Sequence, residues 1–174
     1  MTETEITSPS SQGPRSIAGD SFDRLYRESR DDLFAYLTFL LRDPVLAEEV
    51  AAQAFERAFR KRDTFNPSRG DMRGWLFRIA RNAGIDELRR RDREYVAEPG
   101  FADTLSAPSG SSDDRMFVSA AIRTLDPRQR ELVALKFFAA LNNREIAAVV
   151  GQSESNVGSQ LHRATTKLRE VLDA

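Results

Sequence analysis

The sequence predicts an all-α protein made of two small helical domains joined by a flexible acidic linker. In every periodic segment the apolar residues recur at three- and four-residue steps, and no segment alternates apolar and polar residues over the length of a strand. Residues 94–114 hold five acids, no base and many Pro, Gly and Ser residues, the composition of a linker. The flanking stretches are basic, with 16 bases against 13 acids in residues 22–93 and nine against six in residues 115–174. We therefore expect a disordered tail over residues 1–20, a first domain over 21–94, the linker over 95–114 and a second domain over 115–174.

Three long helices are expected in the first domain. Asp43-Pro44 ends the first and begins the second, because Asp can cap free backbone N–H groups and Pro suits the first helical turn. Asp71 is placed to cap the third helix after a loop over residues 63–70. The expected helices run from about Asp20 to Arg42, from Pro44 to about Arg62 and from Met72 to about Arg93.

The second domain is expected to contain a helix-turn-helix. Asp126-Pro127 repeats the start signal with Gln129 placed for a capping box, and Asn142 with Glu145 forms a second such box. The expected helices are Arg115–Leu125, Pro127–Ala140, Asn143–Val150 and, after a break at Gly151, one capped by Ser153 that runs to about Leu172. A short helix, a turn containing Gly and a longer amphipathic helix make this motif.

The composition leaves few routes to catalysis. The chain has no cysteine and a single histidine, His162, which excludes disulfides, thiolate chemistry and Cys/His zinc sites. Its 174 residues are too few for a large enzyme, and no stretch approaches the roughly 18 apolar residues of a membrane span. The N-terminal segment lacks the apolar core of a secretory signal. We therefore expect a binding protein without membrane insertion, not an enzyme, with no cofactor and no metal site.

Two helix faces carry groups suited to nucleic acid. On the last helix the face opposite the buried stripe presents short hydroxyls, an imidazole and an arginine, which can reach base edges or phosphates in a major groove: Ser155, Ser159, His162, Arg163 and Thr166. On the third helix Arg78, Asn82, Ile85 and Arg89 share a stripe, with further charge from Arg81, Arg90, Arg91 and Arg93. Arginines and an amide beside a loop that holds Phe65 suit a phosphate backbone with unstacked bases. The alternative for both faces is an ordinary solvated surface.

The second helix has a different polar stripe, formed by Glu49, Gln53, Glu56 and Arg60. An acidic stripe does not suit DNA, because it repels phosphates. It fits a protein partner, with a plain solvated face as the alternative.

Three stretches, in this order, form a specific pattern. They are Ala47–Phe55; Trp75–Asn82 continued through Ile85-Asp86 to Arg89–Arg91; and Leu125-Asp126 with Leu135, Glu145–Ala147, Val157–Ala164 and Leu168-Arg169. Together they resemble the bacterial RNA polymerase sigma factors of the extracytoplasmic-function (ECF) group, over about residues 21–172. The second stretch is highly specific to that family, whereas the third alone would fit many helix-turn-helix regulators.

The resemblance implies a role for each surface. The second helix would dock on the clamp helices of the largest polymerase subunit through Glu49, Ala52, Gln53 and Glu56, with Ala52 where the family usually has Gln. The loop and third helix would recognise and open the −10 promoter element through Phe65, Arg78, Asn82, Asp86, Arg89 and Arg90. The last helix would read the −35 element through Ser155, Asn156, Ser159, His162 and Arg163, with Asn156 and Gly158 where the family usually has Thr and Lys.

The same resemblance implies partners and a place of action. Core RNA polymerase and promoter DNA are the expected partners, in the cytoplasm at the nucleoid. An anti-sigma factor is common in the family, and whether one binds this chain stays open. Two other functions also stay open: a helix-turn-helix regulator whose N-terminal helices dimerise or sense a signal, and a helical adaptor whose basic faces are only solvated surface.

Overall fold

All of the regular secondary structure in the described part of the chain is helical. A computed structural model describes residues 17–95 and 120–173, with the side chains of 21–94 and 120–173. No strand occurs in these ranges, so the all-α prediction is confirmed there. The helices with both ends described are α1 Ile17–Leu41, α2 Pro44–Arg60, α3 Met72–Tyr95, α4 Pro127–Phe137, α5 Asn143–Val150 and α6 Glu154–Leu172.

Several predicted segments fall partly or wholly outside the described residues. Most of the predicted tail and linker lie outside them, and the helix predicted from Arg115 to Leu125 is described only as a helical segment over 120–123. The loop predicted over 63–70 contains two short 3-10 turns, Arg62–Thr64 and Pro67–Arg69. They tighten the connection between α2 and α3.

The predicted caps fix the helix starts. Asp43 Oδ1 accepts hydrogen bonds from the backbone N–H groups of Val45 and Leu46 at 3.0 and 3.1 Å, and Asp71 Oδ1 accepts one from Gly74 at 2.8 Å. Both predicted capping boxes form at the starts of α4 and α5. These bonds satisfy donors that the first helical turn leaves without a partner.

Two helix ends differ from the prediction by three residues. Helix α1 begins at Ile17 and not at about Asp20, so it includes the last residues of the predicted tail. Helix α4 ends at Phe137, three residues before the predicted Ala140. The backbone N–H of Ala139 turns back to the carbonyl of Ala134 at 3.1 Å, and Ala140 adopts a left-handed conformation with φ 54°. A left-handed residue at a helix end is usually Gly, so Ala140 did not predict that the helix ends here.

Helices α1, α2 and α3 pack as a bundle. Its centre contains Leu33, Tyr36 and Leu37 of α1 with Leu76 and Phe77 of α3, all fully buried. The apolar residues at helical spacing on α3, which predict its buried stripe, are Met72, Trp75, Leu76, Ile79 and Ala83; Leu76 and Ala83 are buried, but Met72, Trp75 and Ile79 are only half-buried. The more deeply buried stripe is turned toward Phe77 and Ala80, since α3 also packs against the second half of the chain.

Helices α4, α5 and α6 form a second cluster around buried Leu135, Ile146, Val157 and Leu161. Gly151 follows α5 in a left-handed conformation, φ 70° and ψ 36°, and its N–H donates to the carbonyl of Ala147. Ser153 then caps α6. The predicted helix-turn-helix is confirmed.

The two clusters are not separate in this structure. Buried residues of both halves belong to one apolar core, and α3 packs against α5 while α1 packs against α4. The rings of Phe39 on α1 and Phe138 after α4 have centroids 5.1 Å apart. The sequence did not predict this contact.

Candidate nucleic-acid interface

An exposed stripe along α3 brings together four of the residues expected at the −10 element, Arg78, Asn82, Asp86 and Arg89. Their spacing of three and four residues puts them on one side of the helix. Arg89 Nη1 lies 4.0 Å from Asp86 Oδ1, a loose contact that leaves most of the guanidinium in solvent. Arg78 and Asn82 make no hydrogen bond with any other described residue, so their donors are available to a ligand.

The loop before α3 supplies an aromatic wall next to this stripe. Phe65 is half-buried, and its ring centroid lies 5.5 Å from that of Trp75 at an interplanar angle of 51°. Asn66 stiffens the loop, since its Oδ1 accepts hydrogen bonds from the N–H and the hydroxyl of Ser68 at 2.9 and 2.6 Å. These aromatic and amide groups are the kinds that hold an unstacked base.

This wall borders a cleft of about 620 Å³, which we call the base cleft. One side consists of residues 64–71 with Gly74, Trp75 and Arg78; the other consists of Asn142, Arg144, Glu145 and Ala148, in and just before α5. Trp75 was expected in the core, and Arg69 and Arg144 were not expected at the site. Trp75 lies three residues before Arg78 on α3, and this spacing could have predicted that it lines the same cleft. Arg144 is far from Arg78 in the sequence, so no local pattern could have predicted its place there.

Other arginines of α3 are held by carboxylates. Arg90 Nη1 donates to Glu94 Oε1 at 2.6 Å and Arg90 Nε to Glu87 Oε2 at 3.0 Å, while Arg91 Nη2 donates to Asp43 Oδ2 at 2.7 Å. The Arg90 hydrogen bond holds the pKa of Glu87 below its ordinary value, and the hydrogen bond from Arg91 does the same for Asp43. Of the expected −10 arginines, Arg78 and Arg89 therefore present more free charge than Arg90.

The acidic stripe of α2 is exposed along its length. Glu49, Ala52, Gln53 and Glu56 all face solvent, as expected for a surface that binds a partner. Gln53 Nε2 donates to Glu49 Oε1 at 3.4 Å, and Arg60 Nη2 to Glu56 Oε1 at 2.5 Å. These weak surface contacts leave the carboxylates accessible.

Helix α6 separates its buried and exposed sides as predicted. Val157, Leu161 and Ala164 are buried. The residues expected at the −35 element, Ser155, Asn156, Ser159, His162 and Arg163, are all exposed, and we call them the recognition face.

The sequence did not predict a role for Gln152 and Gln160, two glutamines next to the recognition face. Gln152 Oε1 accepts hydrogen bonds from Asn156 Nδ2 at 3.1 Å and from Gln160 Nε2 at 3.0 Å. These contacts fix the Asn156 amide before any ligand arrives. The four-residue spacing of the three amides in the sequence was the available signal.

Comparison with known proteins identifies the family. Residues 25–94 match the model of sigma-70 region 2, and residues 118–168 match the model of sigma-70, region 4. The RNA polymerase sigma factor CarQ of Myxococcus xanthus is 31% identical over 163 residues, 91% of this chain and 92% of CarQ. The chain belongs to the ECF group of RNA polymerase sigma factors.

Two further comparisons agree with this assignment. The ECF sigma factor BldN of Streptomyces coelicolor is 29% identical over 160 residues, 88% of this chain but 61% of BldN, so this sigma factor spans less than two thirds of that relative. The structure of the sigma factor RpoE with the anti-sigma factor NepR from Bartonella quintana has a TM-score of 0.74 and 26% identity, covering 89% of this chain and 98% of RpoE.

This sigma factor directs RNA polymerase to promoters, and its family is not an enzyme family. Within the described residues no helix is long and apolar enough to cross a membrane. The same residues contain no group of three or more His, Asp or Glu side chains that could hold a metal ion.

Proposed function

We propose that this sigma factor divides promoter recognition between its two halves. The first domain, over residues 21–94, docks on core RNA polymerase and opens the −10 element, and the second, over residues 115–174, reads the −35 element. The acidic linker joins them. The factor works in the cytoplasm at the nucleoid.

The −10 assignment rests on α3 and the loop before it. Extruding a base from the duplex costs about a few kcal/mol of unstacking, which an aromatic and amide pocket can offset. Phe65 and Trp75 offer ring surfaces, and Asn82 offers both a donor and an acceptor to a base edge. Arg78 and Arg89 neutralise the phosphates on either side.

The −35 assignment rests on the recognition face. Helix α6 follows the turn of a helix-turn-helix and presents short polar side chains, a geometry that fits the major groove. Arg163 is the exposed arginine of this face, and its Nε donates to the backbone carbonyl of Ser159 at 3.3 Å. The guanidinium can therefore bind a guanine or a phosphate.

Docking on the polymerase rests on the acidic stripe of α2. Exposed Glu49 and Glu56 lie on the same side of the helix, and no basic side chain of another element pairs with them in the described residues. A basic surface of the partner complements such a stripe and speeds the encounter. Ala52 supplies no polar contact where the family usually has an amide, and the nearest amide on this stripe is that of Gln53.

An anti-sigma factor is a further proposed partner. RpoE of Bartonella quintana, which this chain resembles over 89% of its length, was solved with the anti-sigma factor NepR bound. We infer that a comparable inhibitor holds this sigma factor until it is needed.

The observation that carries the proposal is the exposed Arg78, Asn82 and Arg89 stripe beside the Phe65 and Trp75 rings. Footprinting of promoter DNA with and without core RNA polymerase tests it. We expect protection of the −10 and −35 elements only when core polymerase is present. Protection of a pseudo-palindromic site by the chain alone would instead show a dimeric helix-turn-helix regulator.

A further inference from the structure

Three amide side chains form a hydrogen-bonded row at the start of α6. Gln152 lies in the turn before the helix, Asn156 in its first turn and Gln160 one turn later, so their four-residue spacing places them along one side. Gln152 Oε1 accepts one hydrogen bond from Asn156 Nδ2 at 3.1 Å and another from Gln160 Nε2 at 3.0 Å. We call these three residues the amide row.

The amide row holds the side chain of Asn156 in one orientation. If Asn156 alone turned over, its Oδ1 would face Gln152 Oε1, and two acceptors cannot form a hydrogen bond. Because Gln160 donates to the same oxygen, all three amides would have to turn together. The backbone N–H of Asn156 also donates to Ser153 Oγ at 3.2 Å, which fixes the backbone that carries the amide.

The row leaves Asn156 one free donor and one free acceptor. One hydrogen of Nδ2 is bound to Gln152, while the other hydrogen and Oδ1 make no hydrogen bond with any described residue. Asn156 is exposed, whereas Gln152 and Gln160 are half-buried. In a helix-turn-helix the first residues of the second helix contact base edges. Asn156 therefore presents an oriented donor and acceptor where a base edge is expected.

Adenine matches this pair of groups. Its major-groove edge presents the N7 acceptor beside the N6 donor, and an asparagine can bind both atoms at once. Guanine presents two acceptors, so Oδ1 would face an oxygen, and the polar groups of cytosine and thymine are a single donor and a single acceptor. Asn156 stands where the family usually has threonine, whose one hydroxyl oxygen cannot span two adjacent base atoms.

We propose that Asn156 reads an adenine in the −35 element and that Gln152 is the positioning residue that orients it. The inference rests on the proposed role of the recognition face in −35 recognition. Gln152 acts through its hydrogen bond to Asn156 and needs no contact with DNA. Arg163 lies seven residues further along α6, about 10 Å away along the helix axis, so its contact is separate from that of Asn156.

The proposal has a measurable size. A bidentate contact of this kind favours the correct base by about 5- to 150-fold. Without Gln152 the side chain of Asn156 is ordered only when DNA binds, which weakens binding to the adenine promoter by about 2- to 10-fold. Promoters without this adenine gain nothing from Asn156 and are unaffected. Asn156→Ala should therefore abolish the adenine preference, and Gln152→Met should reduce it.

Selection of −35 sequences by the holoenzyme tests the proposal. Core polymerase carrying the wild-type chain or a variant binds a promoter library randomised across the −35 element, and the bound templates are sequenced. We expect adenine at one position with wild type, no preference there with Asn156→Ala and a weaker one with Gln152→Met, while the other positions stay unchanged. A wild-type selection that Asn156→Ala leaves unchanged, or weakens equally on all templates as a phosphate contact would, overturns the proposal.

Gln152→Glu separates positioning from a general effect on the fold. Glutamate keeps an oxygen that accepts from Asn156 and Gln160, so the adenine preference should persist, while the added negative charge weakens binding to every template alike. Methionine is similar in length but has only a weak acceptor. Equal loss of the adenine preference in Gln152→Glu and Gln152→Met would refute the positioning role.

An altered base tests the contact itself. Replacing the selected adenine by 7-deazaadenine removes N7 and keeps N6 and the base pair. We expect binding by the wild-type holoenzyme to fall about 2- to 10-fold and binding by the Asn156→Ala holoenzyme to stay the same. Equal losses with both chains would show that Asn156 does not bind N7. Absence of any −35 preference with the wild-type holoenzyme would instead refute the proposed role of the recognition face.

Discussion

Replacing Gly158 by alanine should stabilise the protein, although Gly158 lies in the helix that carries the recognition face. The residue is inside α6, where glycine costs about 1 kcal/mol of helix propensity relative to alanine. An added Cβ would meet only Asn143 Nδ2, at 3.5 Å, which is ordinary van der Waals contact. We therefore expect Gly158→Ala to raise the free energy of unfolding by about 0.5–1 kcal/mol. For a chain of 174 residues this corresponds to a rise in Tm of about 1–4 °C.

Gly151 provides the matched control. A Cβ on Gly151 would meet nothing within 4 Å, but the φ of 70° at this residue is left-handed. Gly151→Ala should therefore lower stability by about 1–2 kcal/mol from backbone conformation alone. Thermal unfolding of the full chain, followed by circular dichroism, measures both variants. Unchanged or lowered stability in Gly158→Ala, with the expected loss in Gly151→Ala, would refute the packing described around α6.

Three predictions concern the proposed binding surfaces. Reversing the charge of Glu49 and Glu56 together should weaken co-purification with core polymerase while leaving the circular dichroism spectrum unchanged, because both residues are exposed. Asn82→Ala should alter base preference in the −10 element, whereas Arg89→Ala should lower promoter opening on all sequences alike, as read by permanganate reactivity. Arg163→Ala should cost about 1–3 kcal/mol of discrimination at the −35 element if its contact is to a base, and a sequence-independent loss if it is to phosphate.

Each of these predictions has a control on the same helix. Glu48→Lys changes an exposed charge beside the acidic stripe and should leave co-purification intact. Asp92→Ala removes an exposed charge near the end of α3 that was not assigned to the −10 surface, and it should open promoters as wild type does. Arg169→Ala removes an exposed arginine of α6 outside the recognition face. Equal effects of a test variant and its control would remove the role assigned to that surface.

The sequence predicted what depends on neighbouring residues. Asp43, Asp126 and Asn142 were recognised as caps because a cap needs only the next three residues to be helical. The exposure of the recognition face followed from the helical period of Val157 and Leu161 in the same way. Local chemistry therefore accounts for the helices and for their outward faces.

The sequence could not predict what depends on distant partners. Arg81 donates to Glu131, 50 residues away, and Arg91 donates to Asp43, 48 residues away, so nothing local marked these arginines as structural. Trp75 and Phe77 are both large and apolar, and only the second layer of helices decides that Phe77 is buried and Trp75 lines the base cleft. The contact between the two halves of the chain also joins residues that are far apart in the sequence, so no local pattern predicted it.

Run-off transcription with purified core RNA polymerase tests promoter recognition by this sigma factor most directly. The templates are promoters selected from a library, each paired with versions in which the −10 or the −35 element is scrambled. We expect transcripts only when the sigma factor is added, with output lost on scrambling the −10 element and reduced on scrambling the −35 element. Transcription that is independent of the added chain, or insensitive to both elements, would contradict the proposed recognition of the two elements.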